Sequence, residues 1–173
     1  RARKQADLSS FGAFDAVCDF FIANMGEVTI ITHYGNEATM ERFFRRPSMA
    51  ICTDGLMPWT LQKQHPRCIG AFPKALRLAR DMGIPLKQMI WRLATLPCRF
   101  LNLPDPVLRP GADASLVLFD FATVGERNDY MNPETPPVGI DAVWVHGERA
   151  FDHGRFHVSG AMPGRTLLSP SRI

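Results

Sequence analysis

No run in the sequence approaches the ~18 consecutive apolar residues of a membrane span, which excludes a spanning helix and leaves the expectation of a soluble protein with no membrane partner. Paired cysteines are missing as well. Cys18, Cys52, Cys68 and Cys98 stand far apart, without the C-x-x-C pairs of a zinc ribbon or the density of a disulfide scaffold, so they read as free thiols and point to the cytoplasm. The basic opening Arg1-Ala2-Arg3-Lys4 is followed by no apolar signal core. Charge of one sign is scarce: 20 Lys and Arg against 17 Asp and Glu give +3, with no basic stripe interleaved with aromatics, and a nucleic-acid partner is not expected. A glycine-rich phosphate loop, a G-x-S-x-G elbow, an H-E-x-x-H helix and internal repeats are all lacking. Length is short too. At 173 residues the chain falls below the roughly 200–250 of a closed (β/α)8 barrel, and it opens on Arg1 rather than Met, so the expectation is a piece of something longer.

What is present is an ordinary globular composition, 46% hydrophobic and 21% charged, which excludes a disordered chain. In the first part helix and strand alternate. Phe11, Phe14, Val17, Cys18, Phe21 and Ile22 recur at helical spacing after the capping candidates Ser9 and Ser10 and before Gly26. Val28 to Tyr34 is β-branched and aromatic and reads as a buried strand. Asn36 can cap a helix with Met40, Phe43 and Phe44 on its apolar side, stopped by Pro47, and Met49 to Cys52 is a second short apolar strand ending at Thr53-Asp54-Gly55. A polar, Pro-containing loop, Leu56 to Ala71, precedes two helical stripes, one from Phe72 to Met82 and one from Leu86 to Leu93 after Pro85. Beyond Pro97 the pattern changes. Leu103-Pro104-Asp105-Pro106 is a linker, followed by β segments at Ser115 to Asp120, Ile140 to His146, Arg149 to Phe151 and Arg155 to Val158, spaced as in a small β-sandwich or hairpin stack.

Chemistry could sit at three places. Asp54 follows a strand and precedes a glycine; a carboxylate at a strand tip can be a metal ligand or general base, or a turn aspartate bonding its own backbone. In His65-Pro66-Arg67-Cys68-Ile69-Gly70, His65 can hold a metal or a proton and Arg67 presents a planar fork for a carboxylate, or both can bond loop carbonyls. His33, near the other strand's end, could share that pocket or be a satisfied strand-end histidine. His153 and His157 are four apart but flank Gly154 in an expected hairpin, so the spacing makes no metal pair; His146 has no evident partner; Cys52 shares the Asp54 face and reads as a small buried hydrophobe, and Met82, Met89 and Trp91 as core.

Taken in order, Thr53-Asp54-Gly55, His65-Pro66-Arg67-Cys68-Ile69-Gly70-Ala71-Phe72-Pro73-Lys74-Ala75-Leu76, Thr95-Leu96-Pro97-Cys98-Arg99, Arg109-Pro110-Gly111-Ala112-Asp113-Ala114, Leu116 to Asp120, Gly139-Ile140, Val143 to Gly147 and Pro163-Gly164-Arg165 resemble the closing segment of the D-aminoacylase (N-acyl-D-amino-acid deacylase) family of metal-dependent amidohydrolases. The resemblance runs from about Val28 to Leu168. Departures are local: Thr53 stands where Ser is usual, Ser115 where Asp is frequent, and Asp105-Pro106-Val107 replaces an Asp-Arg-Gly turn.

The resemblance implies an α/β chain: residues 1–102 as the last strands and helices of a (β/α)8 TIM barrel and residues 103–173 as part of a small β-sandwich. It implies a zinc cofactor, Asp54 as the catalytic aspartate ending the eighth strand, and His65 and Arg67 on a loop shaping the pocket for a small N-acyl amino acid. His33 and Asp54 are the metal ligands expected here, and a catalytic zinc takes three protein ligands, so the rest of the barrel is expected from an upstream segment or another chain. Two other readings stand beside it: a catalytically incomplete barrel remnant acting as an interaction module, and an amidohydrolase for a cyclic amide or an N-acyl-D-glutamate, since Arg67 suits an acidic group.

Overall fold

The computed structural model describes residues 11–26, 28, 35–56, 64–157 and 163–166. The chain divides into two compact units, Arg1–Met40 and Glu41–Ile173. Of the strand expected over Val28 to Tyr34 only Val28 is described; residues 29–34, with His33, lie outside the described residues, as do Ser9 and Ser10.

The helical periodicities become helices, with ends set by local chemistry. Helix α1 spans Phe11–Ala23 and closes with Gly26 N–H donating to the Phe21 carbonyl and Met25 N–H to that of Ile22, Met25 and Gly26 both at positive φ. Helix α2, Glu37–Phe44, is capped as its sequence suggests: Asn36 Oδ1 accepts the Thr39 N–H at 3.2 Å. Helix α3, Arg67–Asp81, stops in the same way as α1, with Gly83 at φ 68°.

Helix α4, Leu86–Ile90, does not end near Leu93 as the stripe suggests. It runs through a π-helical turn, Trp91–Thr95, into α5, Leu96–Phe100, which closes at Asn102 (φ 55°). Pro97 has no N–H for the Leu93 carbonyl, and the ladder widens just before it, where Leu96 N–H reaches back five residues to Trp91 O. Trp91 is therefore not core; it is 37% exposed, with the Arg99 guanidinium 4.7 Å over its ring.

The segment expected as the strand Met49 to Cys52 is extended but pairs with no strand among the described residues. Exposure alternates from Ile51 to Leu56, placing Cys52 outward on the face it shares with Asp54, so Cys52 is exposed and not the buried hydrophobe expected. A strand needs a neighbour for its backbone groups, and here helix-borne Arg92 takes that part. Its carbonyl accepts the Ile51 N–H at 3.4 Å, its Nε donates to Met49 O at 2.7 Å and its Nη1 to Phe44 O at 2.6 Å. Arg92 is fully buried, under the Phe44 ring, and burial lowers its pKa from the usual arginine value. Its Nη2 finds no acceptor among the described residues.

The β segments fall within a residue or two of their expected bounds: β1 Leu116–Phe119, β2 Ile140–Val145, β3 Glu148–Asp152 and β4 Arg155–Phe156. They pair as one antiparallel sheet in the order β1-β2-β3-β4, with Val117 opposite Val143 and Val143 opposite Phe151. A sandwich is thus not formed among the described residues; β1 is an edge whose Val117 and Leu118 are more than half exposed, for want of a second layer.

The core lies where α3 and α4 meet the loop between β1 and β2. Ala75, Leu76, Ala79, Ile84, Met89 and Val124 are buried together, with Phe119, Phe121 and Ile140 packed against them. The small side chains of Ala75 and Ala79 admit Val124, and Gly139, at φ 72°, passes so near that a Cβ would stand 2.6 Å from Val124 Cα. Charged bonds clamp the loop. Arg80 Nη1 donates to Phe121 O (2.9 Å) and Val124 O (3.0 Å), and Arg77 meets Glu126 through Nε (2.8 Å) and Nη2.

For Glu126, burial is the largest single effect and opposes the charge, but the Arg77 hydrogen bond, a backbone N–H and the Arg77 and Lys74 charges together outweigh it and hold the carboxyl below its usual range. The folded state therefore binds this proton less readily than the unfolded chain, and the contribution is present above the ordinary glutamate pKa and lost as pH falls. Glu126→Gln should cost about 1–3 kcal/mol at pH 7. In urea unfolding, the gap between wild type and variant should narrow steadily below about pH 4.5.

Candidate active site at the start of helix α3

Helix α3 begins at Arg67, not at Phe72, so His65-Pro66-Arg67 is a helix entry and not the middle of a loop. Pro66 sits at the N-cap and offers no side-chain cap of its own, and Gly70 N–H already reaches Pro66 O at 2.9 Å. A proline there loses nothing, since the first N–H groups of a helix have no intrahelical partner.

Two of the motif's glycines have a steric cause. Gly55 lets the Thr53-Asp54-Gly55 turn lie against the helix, where a Cβ would stand 2.9 Å from Cys68 Cα. Gly70, buried on α3, faces the Asn128 carboxamide so closely that any Cβ would overlap its Oδ1.

Asp54 occupies the left-handed region at φ 46°, costly for most residues and least so for Asp and Asn. Its carbonyl accepts Arg67 Nε–H at 2.7 Å, and its Oδ2 lies 3.0 Å from Arg67 Nη2, with the carboxylate side chain 82% exposed. Thr53 Oγ1 accepts the Gly55 N–H at 3.3 Å, and Cys68 Sγ lies 3.4 Å from Leu56 O, fastening the turn on both sides. One guanidinium therefore holds both the backbone and the side chain of Asp54, using the bidentate geometry that arginine alone offers.

His65 is the second component. Its Nδ1 accepts the Arg67 N–H at 3.0 Å, and its Nε2 lies 3.3 Å from the Tyr130 hydroxyl, the rings meeting edge-on at 5.1 Å. An Nδ1 that accepts must be unprotonated, so the proton of the neutral ring is on Nε2. Burial and then the nearby Arg67 charge lower the His65 pKa against the opposing pull of Asp54, and the ring is neutral at pH 7.

Asp54, His65 and Arg67 are thus brought together, while His33 lies outside the described residues. Tyr130 and Asn128 are new. Asn128 Nδ2 donates to Pro66 O (2.6 Å) and Pro133 O (3.0 Å), and Asp129 Oδ1 accepts from Met131 N and Asn132 N, folding the loop onto the helix entry. They stand more than sixty residues from His65 in a polar stretch whose only local signal is turn-forming composition.

The other described histidines make local contacts. His146, without an evident partner in the sequence, pairs with Asp113 at 2.6 Å while its N–H donates to Ser115 Oγ. His153 is at φ 40° in the β3–β4 turn, so no metal pair with His157 arises.

These residues do not by themselves fit a metal ion. No group of three or more His, Cys, Asp and Glu comes together among the described residues, Asp54 is paired to Arg67, and both His65 nitrogens have partners.

No family model matches the chain. It is similar to the D-aminoacylase of Alcaligenes xylosoxydans xylosoxydans, 33% identical over 135 residues, covering 76% of this chain and 27% of that one. The N-acyl-D-aspartate deacylase of the same organism is 32% identical over 155 residues, covering 88% and 30%. Among solved structures, the N-acyl-D-glutamate deacylase of Bordetella bronchiseptica, complexed with zinc and a phosphonate inhibitor, superposes with TM-score 0.62 and 34% identity over 69% of this chain and 26% of that one. The chain therefore spans less than a third of the relatives it matches.

Gly70→Ala should push Asn128 off Pro66 O and free the loop. The expected result is a destabilisation of roughly 1–3 kcal/mol in chemical denaturation, the range for overpacking, and faster amide exchange at 128–132 than at the β2–β3 ladder.

Proposed function

Because the chain belongs to the D-aminoacylase family of N-acyl-D-amino-acid deacylases, we propose that it is the C-terminal portion of an enzyme that hydrolyses the amide of an N-acyl-D-amino acid, with Asp54 as its proton-transferring carboxylate. The observation that carries this reading is the Asp54–Arg67 pair. A carboxylate in a strained turn is held at backbone and side chain by one guanidinium, open to a ligand and beside a neutral imidazole.

Water adds to the amide carbonyl, Asp54 accepts its proton, and the same carboxyl returns that proton to the nitrogen as the C–N bond breaks, releasing a carboxylate and a free D-amino acid. Arg67, with Nη1 uncommitted among the described residues, offers a donor to the substrate's carboxylate while it fixes Asp54. His65 sets the start of α3 and lines the pocket. The metal that accompanies such chemistry in the Bordetella relative, zinc in this reading, requires ligands beyond the described residues, His33 and the remaining barrel among them.

The catalytically incomplete module remains as a second reading, favoured by the bare apolar residues of α1, where Val17 is 55% and Ile22 75% exposed. The experiment is Asp54→Asn in the complete polypeptide. Turnover of N-acyl-D-amino acids should fall by roughly 10²–10⁴-fold, the range for removing a general acid–base, with the melting temperature held near wild type. Unchanged turnover removes Asp54 from the chemistry. Near-stoichiometric zinc on this 173-residue chain alone would contradict the split ligand set.

A further inference from the structure

We propose that the Tyr130 hydroxyl is a substrate-positioning group of this site, donating a hydrogen bond to the carboxylate of the N-acyl amino acid alongside Arg67; this rests on the deacylase reading above. The argument is one of proton placement. A phenol has one proton and two acceptor positions. With the His65 Nδ1 lone pair taken by the Arg67 N–H, the imidazole proton is on Nε2, directed at the Tyr130 oxygen 3.3 Å away. The Tyr130 oxygen is therefore the acceptor in that bond, and its own proton must point elsewhere. It finds no acceptor among the described residues, although Tyr130 is 48% exposed and within reach of a ligand.

The hydroxyl proton is thus left for solvent or for a ligand, and a ligand group that accepts it displaces only water. Here the loop is fixed before a ligand arrives. Asn128 ties it to Pro66 O and Pro133 O, Asp129 Oδ1 holds the N–H groups of Met131 and Asn132, and the ring sits edge-on to His65. Such preorganisation lowers the entropy lost on binding. The ligand suited to a hydroxyl proton and a guanidinium N–H, both borne by residues that bond the same imidazole, is an oxygen anion, and a carboxylate is the one that every N-acyl amino acid carries. The loop that follows β1 thus supplies part of the pocket whose chemistry begins at Asp54.

The test is Tyr130→Phe in the complete enzyme, with Tyr130→Ala beside it. Phenylalanine keeps the ring and its edge-on contact and removes only the hydroxyl. For N-acyl-D-amino acids, KM should rise roughly 10-fold or more, as for a lost hydrogen bond to a charged group, with kcat within about twofold of wild type. The effect should disappear on the matching N-acyl-D-amino-acid amide, which lacks the carboxylate. An unchanged KM in Tyr130→Phe with impairment only in Tyr130→Ala would reduce the residue to packing and overturn the proposal. So would 15N NMR showing the His65 proton on Nδ1. Failure of the wild-type enzyme to hydrolyse any N-acyl-D-amino acid overturns the deacylase reading itself, a result distinct from an active wild type indifferent to Tyr130→Phe.

Discussion

The contact on which the second unit depends is the burial of Val124 against the alanine face of helix α3. Ala75 and Ala79 leave a groove that a larger residue would fill, and Val124 enters it to full burial. Dispersion and water exclusion hold the valine, and Gly139 must pass it without a side chain. Such a contact is short-ranged and non-directional, so it fixes where the loop sits without fixing its angle. Arg77 and Arg80 supply the direction, because guanidinium bonds to Glu126 and to the Phe121 and Val124 carbonyls have defined geometry. Once 120–126 is seated, the chain beyond it arrives at the N-terminus of the same helix, where Asn128 takes the Pro66 carbonyl.

The candidate site is then one consequence of how a helix begins. The first turn of an α-helix leaves its N–H groups without internal acceptors. Here the Arg67 N–H goes to His65 Nδ1, which settles the tautomer of the imidazole, while burial and then the Arg67 charge lower its pKa. The Arg67 side chain, freed from any capping duty, reaches back to both the carbonyl and the carboxylate of Asp54. A single arginine thus sets a histidine proton with its backbone and a carboxylate with its guanidinium. Arg92 plays the corresponding part for the segment that leads into Asp54, accepting and donating where a neighbouring strand would.

Helices and strands were legible where the cause was local. Asn36 caps α2, Gly26 closes α1, and the four β segments appear within a residue or two because hydrophobic runs bounded by glycine have few alternatives. The start of α3 at Arg67 was not legible, since Pro66 and Gly70 look like loop residues until the helix entry explains the first and the Asn128 contact the second. The continuation of α4 past Leu93 was missed because Pro97 normally ends a helix; the π turn absorbs its missing donor. Trp91 and Cys52 face outward because apolar character does not say which neighbours will be there to cover it.

By itself the sequence determined the family and three members of the candidate site, because Asp54, His65 and Arg67 stand in short motifs whose residue types and order are distinctive. Only the tertiary structure decided what those residues touch: that Arg67 grips Asp54 twice, that His65 is a neutral Nε2–H tautomer, and that Tyr130 and Asn128 belong beside them. The physical reason is range. Capping, turn strain and hydrophobic period act over a few residues and leave their mark in the order of the chain, whereas a hydrogen bond between groups more than sixty residues apart exists only once the core has brought them to the same place.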